Sequence, residues 1–107
     1  MADPDNCCLV YITAPDRDTA LAIGRSLVQQ RLAACVNLLD GMSSIYEWQG
    51  ELQQDNEVVL IAKTQAANFD ALCRRVKEQH PYDCPCIVAL PISAGHAPFL
   101  EWIGKQS

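Results

Sequence analysis

An α+β fold follows from three features of this sequence: short apolar runs of strand character, two segments with apolar residues at helical spacing, and a length of 107 residues that suits one core. Residues 1–6 read as a loose start and residues 7–107 as a single domain. Cys7–Ala14 (CCLVYITA) is rich in β-branched and aromatic residues and is closed by Pro15, which suits a buried first strand. Across residues 16–32, Ala20, Ile23, Leu27 and Val28 fall at helical spacing, with Asp16 and Asp18 near the start where the helix dipole favours negative charge.

Residues 34–48 predict a second strand, bent or bulged near Asp40-Gly41 because an interior glycine marks a break in regular pairing. Gln49-Gly50 reverses the chain, and residues 51–64 return as a third strand ending in the apolar EVVLIAKT. Phe69, Leu72, Cys73 and Val76 repeat at i, i+3, i+4 and i+7, the stripe of a second helix that must end before Pro81. Residues 87–92 (IVALPI) are a last strand, and Pro98 opens a terminal helix carrying Phe99, Leu100, Trp102 and Ile103.

The order β-α-β-β-α-β plus a helix is the split β-α-β, or ferredoxin-like, plan: a four-stranded, mostly antiparallel sheet with two helices on one face. Those helices leave the other face open. The long hairpin also carries Ile45, Tyr46, Trp48 and Leu52 where no helix of the same chain reaches, so other subunits are expected to bury them. The alternative is a monomer whose terminal helix folds back over the open face.

Composition narrows the function classes. A formal net charge of −5 and a pI near 4.7 argue against nucleic acid, whose binding relies on Lys and Arg. No apolar run approaches the ~18 residues of a membrane span, and the start MADPDN has aspartates where an export signal carries basic residues, so a soluble, cytoplasmic protein is expected. In a reducing compartment its six cysteines are thiols rather than disulfides.

The densest polar constellation is His80-Pro81-Tyr82-Asp83-Cys84-Pro85-Cys86. His80 offers an imidazole for metal binding or proton transfer, or else a helix terminator with a favourable dipole contact. Asp83 adds a carboxylate. Cys84 and Cys86 flank one proline, so an extended segment would point both thiols to one side, where a soft ion such as Cu(I) or Zn(II) could share them. Packing or chance is the commoner account of such thiols, and Cys35 and Cys73 lie in apolar settings where cysteine acts as a small hydrophobe. Glu57 and Lys63 share parity along a regular strand and would face one side. No nucleophile set, carboxylate pair or phosphate loop with a family-independent spacing is present, so binding is expected rather than catalysis.

Residues 32–37 (LAACVN) and 44–50 (SIYEWQG), together with Glu57, Lys63-Thr64 and His80-Pro81-Tyr82, resemble the signature of the CutA, or divalent-cation tolerance, family. The resemblance runs from Thr13 to Trp102. It implies a ferredoxin-like homotrimer similar in architecture to PII signalling proteins, with clefts between subunits. It also implies a role in tolerance of copper and other divalent metals, or, as for animal relatives, in anchoring acetylcholinesterase. Tyr46, Trp48, Glu57, Lys63 and Tyr82 match recurring family positions expected around the cleft, as does His80; Cys35 matches the Ala-Ala-Cys segment. Many relatives read Pro-Glu-Ile where this chain has Pro85-Cys86-Ile87, and some carry a cysteine at the position of Ile12. A thiol in place of a carboxylate shifts a site at Cys86 towards softer ions.

Two readings follow. In the first, a cytoplasmic homotrimer binds a divalent metal ion, copper foremost, through His80, Asp83, Cys84, Cys86 and Cys35. In the second, a PII-like trimer binds a small anionic metabolite through Lys63 with stacking on Trp48 or Tyr82, or serves as a structural partner for another protein.

Overall fold

The computed structural model describes residues 6–107, so the expected loose start lies outside the described residues except for Asn6. Strand β1 (Cys7–Ala14) is followed by helix α1 (Arg17–Gln29), strands β2 (Cys35–Trp48) and β3 (Glu51–Gln65), helix α2 (Phe69–Gln79), strand β4 (Ile87–Pro91) and helix α3 (Ala97–Gln106). The sheet order is β2-β3-β1-β4, and each neighbouring pair is antiparallel. This is the expected ferredoxin-like plan, with one short 3-10 turn at Ala66–Asn68 that the sequence pattern does not announce.

Period-two alternation sorts the sheet into two faces. Val10, Ile12, Val58, Leu60 and Ala62 pack under α1 and α2, where Ala20, Ile23, Leu27, Leu72 and Val76 complete the core. Val28, expected in the α1 stripe, is instead exposed. Asp16 caps α1, accepting the Thr19 N–H at 2.8 Å. The helix ends three residues before the expected Leu32 because Arg31 adopts a left-handed φ of 57°, letting the Leu32 and Ala33 N–H groups donate back to the Leu27 carbonyl.

The opposite face is only partly covered. Leu100 and Ile103 of α3 pack with Cys7 and Ala34 at one end of the sheet. Beyond that end Leu39, Val88 and Leu90 remain 50–56% exposed, so the terminal helix does not fold over the whole face. Phe99 and Trp102 turn outward and stack on each other at 5.5 Å.

The bulge expected at Asp40-Gly41 is present. Pairing of β2 with β3 shifts by one residue between Leu39↔Val59 and Met42↔Glu57, with Gly41 at φ 81°. At the hairpin tip Gln49 (φ 52°) and Gly50 (φ 80°) both have positive φ, as a two-residue type I′ turn requires.

Candidate functional site

The bulge decides what the hairpin shows to each side. Before it, Cys35, Asn37 and Leu39 share the open face with Lys63, Ile61 and Val59; after it, Met42, Tyr46 and Trp48 take that face, paired in register with Glu57, Gln53 and Glu51. Tyr46 and Trp48 thereby join Glu57 on one side of the ribbon. Ile45 and Leu52 go to the other side, 67% and 79% exposed.

Pro81 cannot continue α2, and the chain after Gln79 turns across the end of the sheet. The His80 N–H makes the last helical bond, to the Val76 carbonyl at 2.9 Å, and its ring turns inward to 7% exposure. His80 Nε2 lies 2.8 Å from the Thr13 carbonyl oxygen, and Nδ1 lies 3.1 Å from the Tyr82 backbone nitrogen. A carbonyl only accepts and a backbone N–H only donates, so Nε2 is the donor and the lone pair on Nδ1 is already engaged. The His80 and Tyr82 rings lie 4.8 Å apart, which seats the loop that follows.

That loop and the hairpin enclose a cleft of about 390 Å³. Tyr46 and Trp48 form one side, Tyr82, Asp83, Cys84 and Cys86 the other, and Thr13 and Glu57 the floor. The Tyr82 hydroxyl donates towards Glu57 Oε2 at a long 3.4 Å, and Tyr46 donates to Asp55. The Asp55 carboxylate holds the Tyr46 phenol up at about 12. Burial and then Glu57 raise Tyr82; the same two causes, in the same order, raise Cys86. The lining carries two carboxylates and no Lys, Arg or His. Its field therefore favours a cation over an anion.

Of the predicted residues, the structure brings Tyr46, Trp48, Glu57, Tyr82, Asp83, Cys84 and Cys86 to this one cleft. It does not bring Lys63, which shares a face with Glu57 as expected but stands six residues away, ~20 Å along the strand, and bonds Asn37. Cys35 pairs with Lys63 at that distant end of the open face. His80 supports the cleft from beneath, with no lone pair to offer. The predicted metal set of His80, Asp83, Cys84, Cys86 and Cys35 thus does not converge within one chain. Among the described residues no group of three or more His, Cys, Asp or Glu side chains is placed to hold a metal ion. Lining one cleft is as far as a single chain brings these donors together.

Asp55 and Thr13 were missed by the sequence reading. Asp55 shares parity with Glu57 on a strand, a signal that could have found it; the Thr13 contribution is a backbone carbonyl, which no side-chain pattern carries.

A family profile described as CutA1 divalent ion tolerance protein matches residues 8–106. The divalent-cation tolerance protein CutA of Thermus thermophilus is 48% identical over 92% of this chain and 96% of its own length. The corresponding protein of Pectobacterium atrosepticum is 43% identical over 99% and 98%. The chloroplastic CutA of Arabidopsis thaliana is 43% identical, but this chain spans only 54% of its length. Among solved structures, the Thermus thermophilus divalent cation tolerance protein superposes with a TM-score of 0.93 at 46% identity, covering 94% of this chain and 98% of that one. CutA1 from Oryza sativa gives 0.93 at 39%, covering 95% and 94%.

Proposed function

Because the chain belongs to the CutA1 divalent ion tolerance family, we propose that it is a cytoplasmic homotrimer that binds divalent metal ions, copper foremost, in the cleft between hairpin and loop. The observation that carries the reading is the convergence of Glu57, Asp83, Cys84 and Cys86 on one cleft without a basic side chain in its lining. Carboxylates suit hard ions and thiolates soft ones, so this mixed wall suits a borderline ion such as Cu(II) or Zn(II). Binding rather than catalysis is the reading that the family description supports.

Assembly completes the site. Trp48, Ile45 and Leu52 are 63–79% exposed on the hairpin, and β2 and β4 are free sheet edges. A trimer that buries them sets each cleft against a neighbour able to supply the missing ligands. The anion reading loses support, since Lys63 stands outside the cleft.

Titration calorimetry of reduced, metal-free protein with Zn(II), Cu(II) and Cu(I), run beside light scattering, tests the reading. Saturable binding at a whole number of ions per trimer, weakened in E57Q and D83N, is expected. A monomer, or a trimer that shows only weak non-stoichiometric binding, would sink it and send the search to metabolites and protein partners.

A further inference from the structure

Cys84 and Cys86 are the two exposed thiols of the six cysteines; Cys7 and Cys8 are buried, and Cys35 and Cys73 are half-buried. Both line the same cleft, on either side of Pro85. The segment that carries them lies between α2 and β4, bends at Cys84 and belongs to no ladder, β4 starting only at Ile87. It can therefore adjust without breaking the sheet. Two residues apart, their Cα atoms are separated by at most ~7 Å, and rotation about Pro85 ψ, which lies outside any ladder, brings them within the ~4.4–6.8 Å that a disulfide needs. No other thiol is as well placed for either sulfur. Cys35 pairs with Lys63 at the distant end of the open face, and Cys73 belongs to α2.

We propose that Cys84 and Cys86 are a redox-controlled dithiol, which a hydroperoxide converts into an intramolecular disulfide that withdraws both sulfurs from the cleft. One thiolate attacks the peroxide, the O–O bond breaks, and a sulfenic acid and one water form. The second thiol displaces that hydroxyl as a second water, and the S–S bond closes. Two S–H groups and one hydrogen peroxide thus give one disulfide and two waters, and an external dithiol reverses the change. The consequence for cation affinity rests on the function proposed above; the disulfide itself does not.

Peptide mapping separates the two. Reduced, metal-free protein is treated with one equivalent of hydrogen peroxide, alkylated and digested with trypsin. The fragment 78–105 holds Cys84 and Cys86 and no other cysteine. It is expected to become about 2 Da lighter and to resist alkylation. In C84S and in C86S the remaining thiol is expected to stop as a sulfenic acid that dimedone traps. Oxidation confined to Cys35 or Cys73, or disulfide-linked subunits on a non-reducing gel, would overturn the proposal.

The second arm is Zn(II) titration, chosen because zinc has no redox chemistry. Oxidation is expected to weaken Zn(II) binding by roughly tenfold or more, with recovery on reduction, and C84S/C86S should show the same loss while reduced. Unchanged Zn(II) affinity in the mapped disulfide form would refute the control of the cleft. Absence of Zn(II) binding to the reduced protein, with the disulfide still forming, would instead refute the cation reading.

Discussion

The ring of His80 joins two parts of the chain 67 residues apart, donating from Nε2 to the Thr13 carbonyl oxygen at 2.8 Å while its other nitrogen accepts from the Tyr82 backbone. One side chain therefore holds the loop to the end of β1. His80→Ala leaves a buried carbonyl without its donor and is expected to cost about 1–3 kcal/mol in reversible denaturation. Where H80A remains folded, calorimetry should find its cation affinity close to that of the native chain. A complete loss of binding by a folded H80A trimer would show that the ring leaves these partners to become a ligand.

Tyr46 donates to Asp55, whose carboxylate pushes the phenol up to about 12. A tyrosine raised in the fold contributes stability that is fully present below its ordinary value of about 10 and is lost as pH rises through about 12. The difference absorbance between the native chain and Y46F during alkaline titration isolates this group. It should ionise late in the native chain and markedly earlier in D55N. Equal midpoints would contradict the contact.

Gly50 holds φ at 80° at the hairpin tip. Gly50→Ala places a Cβ in the left-handed region and is expected to cost ~1–2 kcal/mol. At the preceding position, Gln49→Asn introduces a residue that tolerates positive φ and should stabilise the native state by a few tenths of a kcal/mol. Denaturant midpoints check both, and a neutral G50A would mean that the turn relaxes.

Ile45 and Leu52 lie on the hairpin side opposite the cleft, each more than two-thirds exposed. The double variant I45S/L52S removes apolar surface from that side alone. It is expected to shift light scattering towards a monomer while far-ultraviolet circular dichroism keeps the native signature. An unaltered oligomer would place the interface elsewhere, with the exposed row of Leu39, Val88 and Leu90 as the next surface to mutate.

The fold was legible because its signals are local. Alternation marked the strands, the spacing of Leu72 and Val76 marked α2, and Gly41 marked the bulge. The limits of α1 were less so, since the left-handed Arg31 that closes it is no glycine or asparagine. In the cleft, the legible part was the contiguous loop and the hairpin aromatics. The failures were relations between strands: whether Lys63 stands near Glu57 depends on distance along a ladder, and whether His80 can ligate depends on what Thr13 and Tyr82 already ask of it. Cys35 entered the set through the Ala-Ala-Cys resemblance, yet β2 pairing carries it to the sheet's other end.

The extra residue at Asp40-Gly41 makes the chemistry of the hairpin a matter of counting. Were the extra residue paired one-to-one instead of bulged, β2 would run on in the register of Leu39↔Val59 and its outer ribbon would present the opposite face. Ile45 and Glu47 would then stand over the cleft, and Tyr46 and Trp48 would move to the outer side. The bulge acts as a selector between two surfaces already written into the same strand. Loss of the bulge at unchanged length would exchange the aromatic wall for the greasy contact surface, so keeping the hairpin side chains would not by itself keep the site.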